Sequence, residues 1–252
     1  MRAIIIGAGR GQRLMPTTEN APKCYAEVGG RRILDWIVEA FTANGIDDIV
    51  FIGGYLIEPI QADYPQFTFR LNEDWPNNNI LESLMRAVDL MSEPFISTYA
   101  DILYRPSAIA ALLEGAGEIA AVVDTLWRER YRGRTEHPMA DGEKVITSAG
   151  RITRVHRDIE PDLADGEFTG VVRFSVDGAR SLREHYHRCR GKCAGRPFRE
   201  AAVFEKAYLI HLLQEMIEQG ESIHHVDVPG EYWEIDTQQD FAMARSAWVP
   251  NS

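Results

Sequence analysis

Short apolar runs alternate with stretches of helical periodicity along the first half of the chain. Runs rich in β-branched and aromatic residues predict strands over 2–6, 48–52, 67–71, 94–99 and 119–124. Between them, apolar positions three and four apart predict helices over 32–44, 78–91 and 106–114. Strands separated by helices of that length need crossover connections, so they form a Rossmann-like, mostly parallel α/β sheet flanked by helices. In such sheets ligands bind beyond the carboxyl ends of the strands. After residue 124 the pattern changes to strands over 144–147, 151–156 and 167–175, the first two joined by a hairpin at Ser148, Ala149 and Gly150. Helices over 176–190 and 199–219 follow, then a strand over 223–228, an extended segment at 232–236 and a closing helix over 237–248. No internal repeat, low-complexity tract or linker divides the chain, so residues 1–252 read as one domain, with a β-rich elaboration over about 125–175.

Composition narrows the function. With 252 residues and 45% hydrophobic content the chain fills one sizeable core. A formal charge of −11 argues against a nucleic-acid partner, whose phosphates are bound by Lys and Arg. Small anions then need a local positive pocket or a divalent metal. The apolar runs fall well short of the roughly 20 residues of a membrane span, and the first residues lack a secretory core, so a soluble cytoplasmic protein is expected. Three cysteines give no disulfide framework. Cys189 and Cys193 stand near His185 and His187, but on a helix His187 faces away from the other three unless the helix ends near Gly191. The simpler reading is the exposed, basic end of a helix.

Residues 6–23 read I-G-A-G-R-G-Q-R-L-M-P-T-T-E-N-A-P-K, a strand running into a glycine-rich loop and then Arg13, Pro22 and Lys23. Glycines at 7, 9 and 11 let the backbone approach an anion, and successive N–H groups in such a loop form a concavity for phosphate oxygens. Arg13 and Lys23 place fixed cations beside it. A dinucleotide fingerprint does not fit, because Gln12 takes the third glycine position and the next strand ends in Gly53, Gly54 and Tyr55 without a carboxylate for a ribose. A Walker A loop does not fit either, since no Gly-Lys-Ser/Thr follows. A turn that only packs strand against helix explains the glycines and leaves Arg13 and Lys23 without a task.

Two acidic stretches face this loop in prospect. Asp101 closes the buried strand over 94–99, too far from the helix at Pro106 to cap it, and a strand-end carboxylate beside phosphates suits magnesium. Glu234 and Asp236 alternate with Ile235 and share one face of an extended segment. Asp236 competes for the role of cap on the last helix, but Thr237 with Asp240 forms a capping box by itself.

Together, the glycine loop with Arg13, Pro22-Lys23, N-N-N-I-L-E-S-L at 77–84, Tyr99-Ala100-Asp101-Ile102 and Glu234-Ile235-Asp236 resemble the sugar-nucleotidyltransferase superfamily. The similarity is to its phosphocholine cytidylyltransferase-like branch, which includes enzymes acting on aminoethylphosphonate and phosphoglutamine, and it spans nearly the whole chain. The resemblance implies the nucleotide-diphospho-sugar transferase fold and transfer of CMP from CTP to a small phosphorylated or phosphonate acceptor, with release of pyrophosphate. It implies that Gly7, Ala8, Gly9, Arg10, Gly11 and Ala100 hold the nucleotide, that Arg13 and Lys23 act on its phosphates, and that Asn79 and Ser83 lie near the pyrimidine. It also implies that Asp101, Glu234 and Asp236 bind Mg2+. Departures are Gly7 where alanine is common, Arg10 in place of an apolar residue, and Cys24 after the lysine. Asn79 with Glu82 also makes a capping box for the helix it opens.

Arg128, Arg130, Arg132 and Arg134 cluster around Trp127 and Tyr131 in an otherwise acidic chain, a candidate receiver for a second anion or, through an aromatic face, an ammonium group. Asp141, Glu143 and Tyr232 are candidates to complete that acceptor pocket. A solvated loop or a homo-oligomer contact is the competing reading of the same segment. A hexose-1-phosphate nucleotidyltransferase and a non-catalytic nucleotide-binding regulator remain as alternative functions.

Overall fold

Ala3, Ile4 and Ile5 are completely buried, the pattern of a strand covered on both faces. In the computed structural model, which describes residues 1–249, they lie on an interior strand of a nine-stranded sheet. In chain order the strands are β1 (Arg2–Gly7), β2 (Glu27–Val28), β3 (Arg31–Arg32), β4 (Asp48–Gly53), β5 (Thr68–Leu71), β6 (Phe95–Tyr99), β7 (Ile102–Tyr104), β8 (Ile119–Asp124), β9 (Lys144–Ser148), β10 (Arg151–His156), β11 (Gly166–Phe174), β12 (Ile223–Val228) and β13 (Tyr232–Glu234). The helices are α1 (Ile33–Thr42), α2 (Ile57–Asp63), α3 (Ile80–Leu84), α4 (Pro106–Glu114), α5 (Trp127–Arg130), α6 (Val176–Cys193), α7 (Leu209–Glu218) and α8 (Gln238–Ala247).

The main sheet runs β5-β4-β1-β6-β11-β8-β12-β10-β9. From β5 to β6 all pairs are parallel; β11 is antiparallel to both β6 and β8, and β12 returns parallel to β8. The expected hairpin joins β9 and β10 at Ala149 and Gly150, both with positive φ. The chain leaves β1 for β4 on one side and later places β6 on the other, so the carboxyl ends of β1 and β6 flank a topological switch point. Ile6 there stands beside Tyr99. A separate two-stranded ladder, β13 against β7, crosses this end and pairs Glu234 with Ile102.

Three predicted elements differ from the observed ones, each for a local reason. The helix expected over 199–219 begins only at Leu209, because Arg199 adopts a left-handed φ of 51° and Phe198 bridges to Ala201. The helix expected over 78–91 shortens to α3 and tightens into a 3₁₀ segment in which Ala87 departs from helical geometry. Helix α6 continues through Gly191 to Cys193, which keeps His187 off the face of His185, Cys189 and Cys193. No described helix is long and apolar enough to cross a membrane.

Candidate active site

The loop after β1 borders a cleft of about 550 Å³ at the switch point. Its glycines serve different ends. A Cβ on Gly7 would lie 2.6 Å from the Phe51 ring and 2.9 Å from the Ala100 Cβ, so this glycine is demanded by packing. Gly11 has φ of +67°, and a Cβ there would meet the Lys23 side chain at 2.8 Å. A Cβ on Gly9 meets nothing within 4 Å. Protein packing therefore does not explain Gly9, which faces the open cleft. Gly9→Ala should change stability by less than about 0.5 kcal/mol, as for a substitution with no packing consequence, yet raise the KM for nucleotide; thermal melting and initial rates check both halves.

Lys23 stands beside the loop. Its Nζ donates to Asp101 Oδ2 at 2.7 Å and also to Asp236 Oδ1. Burial alone would lower the lysine pKa, but the two adjacent carboxylates outweigh it and hold the ammonium well above its ordinary value. Asp236 is the mirror case: burial would raise its carboxyl, and Lys23 and Arg13 together draw it below the usual range. The Arg13 guanidinium donates to Asp236 Oδ2 at 2.6 Å and lies 3.6 Å from Asp141. The ladder of β7 and β13 brings these distant residues together, because Asp101 immediately precedes β7 and Asp236 follows β13 by two residues. The Ile235 amide, donating to the Asp101 carbonyl at 3.0 Å, extends the same ladder.

Glu234 also lines the cleft. Burial, reinforced by Asp236, pushes its carboxyl well above the ordinary carboxylate range. Asp101, Glu234 and Asp236 thus give the cleft three carboxylates, hard-oxygen donors of the kind a divalent cation takes. His137 Nε2 lies 3.6 Å from Glu234, and His137 Nδ1 lies 3.1 Å from Asp240. Asp240 is wholly buried, paired with Arg134 at 2.8 Å, and accepts from the amides of Asp236 and Thr237 at 3.1 and 2.9 Å. It thereby caps α8 in the capping box expected from Thr237.

Of the other predicted residues, Ala8, Asn79, Ser83, Ala100, Asp141 and Glu143 line the same cleft. Asn79 caps α3 through its side chain and donates to the Lys206 carbonyl at 3.2 Å, while Ser83 accepts from the buried Asn72 amide at 2.9 Å. Four residues do not line it. Arg10 turns its guanidinium over the Tyr55 ring at 5.2 Å. Trp127 is fully buried in a satellite core with Tyr131, Ile159 and Ala164. Tyr131 donates to Glu167 at 2.6 Å, and Tyr232 stacks under Arg130 at 4.4 Å. The cations beside these aromatics are the chain's own arginines: Arg130, locked to Asp124 and Glu167, and Arg134 fold inward, while Arg128 lies over Trp127 and, like Arg132, stays exposed, so the aromatics are not free to form an acceptor pocket. In its place Arg157 reaches the cleft, stacked on Tyr208 at 3.9 Å and donating to Glu143 at 3.0 Å.

The profile of one family, the MobA-like NTP transferase domain, matches residues 3–221. The chain belongs to that family. Among the relatives of this MobA-like NTP transferase, a CTP:phosphoglutamine cytidylyltransferase of Campylobacter jejuni is 28% identical over 95% of this chain and 97% of its own. A choline-phosphate cytidylyltransferase of Streptococcus pneumoniae is 31% identical over 42% of this chain and 47% of its own. Among solved structures, the S. pneumoniae CTP:phosphocholine cytidylyltransferase superposes with a TM-score of 0.72 at 18% identity, covering 97% of both chains. The inositol-1-phosphate CTP transferase of T. maritima gives 0.72 at 19% identity, covering 99% of this chain and 98% of its own. These superpositions agree in fold. Within this MobA-like frame the site residues that sequence reasoning missed are Trp75, His137, Arg157 and Tyr208. Arg157 directly follows the end of β10, the one local signal it carries; nothing in the local sequence marks the other three.

Proposed function

We propose that this chain transfers CMP from CTP to a small phosphorylated or phosphonate acceptor and releases pyrophosphate. The observation that carries the proposal is the Lys23 ammonium, held between Asp101 and Asp236 in the cleft that the open face of Gly9 also lines. The names of the similar proteins, cytidylyltransferases acting on phosphoglutamine and choline phosphate, support the choice of nucleotide and acceptor class.

An acceptor oxygen bonds to the α-phosphorus as the bridge to the β-phosphate breaks, and pyrophosphate leaves with the bond's electron pair. The attacking oxygen is already anionic, so no general base is needed. The task is to bring two anions together and stabilise charge on the α-phosphoryl oxygens. Amides of the loop after β1 receive the triphosphate, with Gly9 leaving room for close approach. Lys23, kept charged by its carboxylates, stands where that charge grows. Arg13, with 55% of its side chain exposed, exchanges Asp236 for the phosphates. Mg2+ held by Asp101, Asp236 and Glu234 would neutralise the triphosphate further. Arg157 is the third cation of the cleft and receives the acceptor's phosphate, with Asp141 and Glu143 available to a positive group on the acceptor.

Pyrophosphate release measured over nucleoside triphosphates crossed with phosphorylated amines, phosphonates and sugar phosphates tests the reading. Turnover confined to CTP with a phosphorylated amine or phosphonate is expected; turnover only with sugar phosphates, or nucleotide binding without release, overturns it. Arg157→Ala should raise the KM for the acceptor about 10- to 100-fold, the loss of a hydrogen bond between charged groups, and leave the KM for CTP nearly unchanged. Initial rates against each substrate in turn make the comparison.

A further inference from the structure

We propose that His137, through Nε2, joins Glu234 and Asp236 as a nitrogen ligand of the bound divalent cation. Donor atoms of His137, Glu234 and Asp236 lie within 4.8 Å of one another, close enough for small side-chain rotations to bring all three to one ion. The ring is fixed in the manner of a metal ligand. Its Nδ1 points at Asp240 Oδ2, 3.1 Å away, and Asp240 is itself buried and charge-paired with Arg134. A carboxylate accepting at Nδ1 favours the tautomer whose Nε2 lone pair faces Glu234, and a partner of this kind orients metal-bound histidines. Asp240 also accepts from the Asp236 amide, so one carboxylate sets both the imidazole and the backbone that carries Asp236. No side-chain hydrogen bond satisfies the Glu234 carboxylate among the described residues, and His137 Nε2 lies 3.6 Å from it. Asp236 has two cationic partners, and entry of an ion displaces the exposed one, Arg13.

An imidazole donor changes the preference of a carboxylate site. Magnesium favours oxygen alone, whereas manganese, cobalt and zinc accept nitrogen and bind mixed sites more tightly. The site is therefore tuned towards borderline divalent ions. The inference rests on the proposed function only for the use of the ion, since binding is measured without nucleotide or acceptor.

Mn2+ added to the nucleotide-free protein should give a pulsed-EPR spectrum modulated by one directly bound ¹⁴N. His137→Gln should abolish that modulation and weaken Mn2+ binding about tenfold or more while changing Mg2+ binding little, as measured by competition titration. Wild-type spectra without nitrogen coupling, or coupling that survives in a folded His137→Gln protein, overturn the assignment. The wild-type spectrum decides the matter even if the variant does not fold. Pyrophosphate release without nitrogen coupling removes His137 and leaves the proposed function standing; coupling without turnover does the reverse.

Discussion

Replacing Lys23 by alanine should leave a folded protein whose rate of pyrophosphate release falls about 10²-fold or more, the cost of removing one preorganised stabiliser of developing phosphoryl charge. The magnitude follows from position. Lys23 is 12% exposed, so its charge acts in a medium that screens weakly, and Asp101 and Asp236 fix where the ammonium points. Orienting the group before substrate arrives means that little reorganisation is needed in the transition state. Folding should persist because no core residue is removed and the carboxylates left behind reach the solvent-open cleft, where a cation in the buffer replaces part of the lost attraction. Circular dichroism and melting establish the fold; steady-state rates establish the loss. Wild-type turnover in the folded variant removes Lys23 from the chemistry.

The second large effect is on stability and lies outside the cleft. Arg130→Met should destabilise the protein by about 3–5 kcal/mol, because it strips the shared counter-charge from two carboxylates that stay buried. The Asp124 and Glu167 side chains are 1% and 3% exposed, and both pair with Arg130. Asp124 keeps the Leu126 and Gly230 amides, each 2.9 Å away, and Glu167 keeps the Tyr131 hydroxyl, but neither retains a salt bridge. Dipoles of this kind do not replace a full charge. Denaturant unfolding of wild type and variant measures the difference; a change under 1 kcal/mol would mean that the pair is not closed in solution.

Much of this molecule was readable before its structure. The strands at the heart of the main sheet announced themselves because β1 and β8, covered on both faces, are apolar runs broken only at an end, and β6 is rich in aromatic and β-branched residues. Asp101, Glu234 and Asp236 were readable because each sits at or beside the end of an extended segment, where side-chain direction follows from a period of two. The short helices α2 and α5 escaped, since seven and four residues carry too little periodicity. The arginine and aromatic segment was misread for a different reason. Its composition is the same whether the aromatics hold a ligand or an internal guanidinium, and only the positions of Asp124 and Glu167 on β8 and β11 decide between them. His137 escaped because its partner Asp240 is 103 residues away and no local spacing links the two.

The ladder of β7 and β13 makes the two extremes of the polypeptide meet as a clasp: Lys23 and Asp236 are 213 positions apart and touch only when it is fastened. Catalytic competence is thus a property of the finished molecule rather than of any segment. Damage that loosens the clasp, even at a tyrosine such as Tyr104 that does not line the cleft, would part Asp236 from Lys23 and Asp101 without altering any of those side chains. For anyone reshaping this scaffold, the backbone pairing of Tyr232 with Tyr104 is as much a part of the site as the charges it aligns.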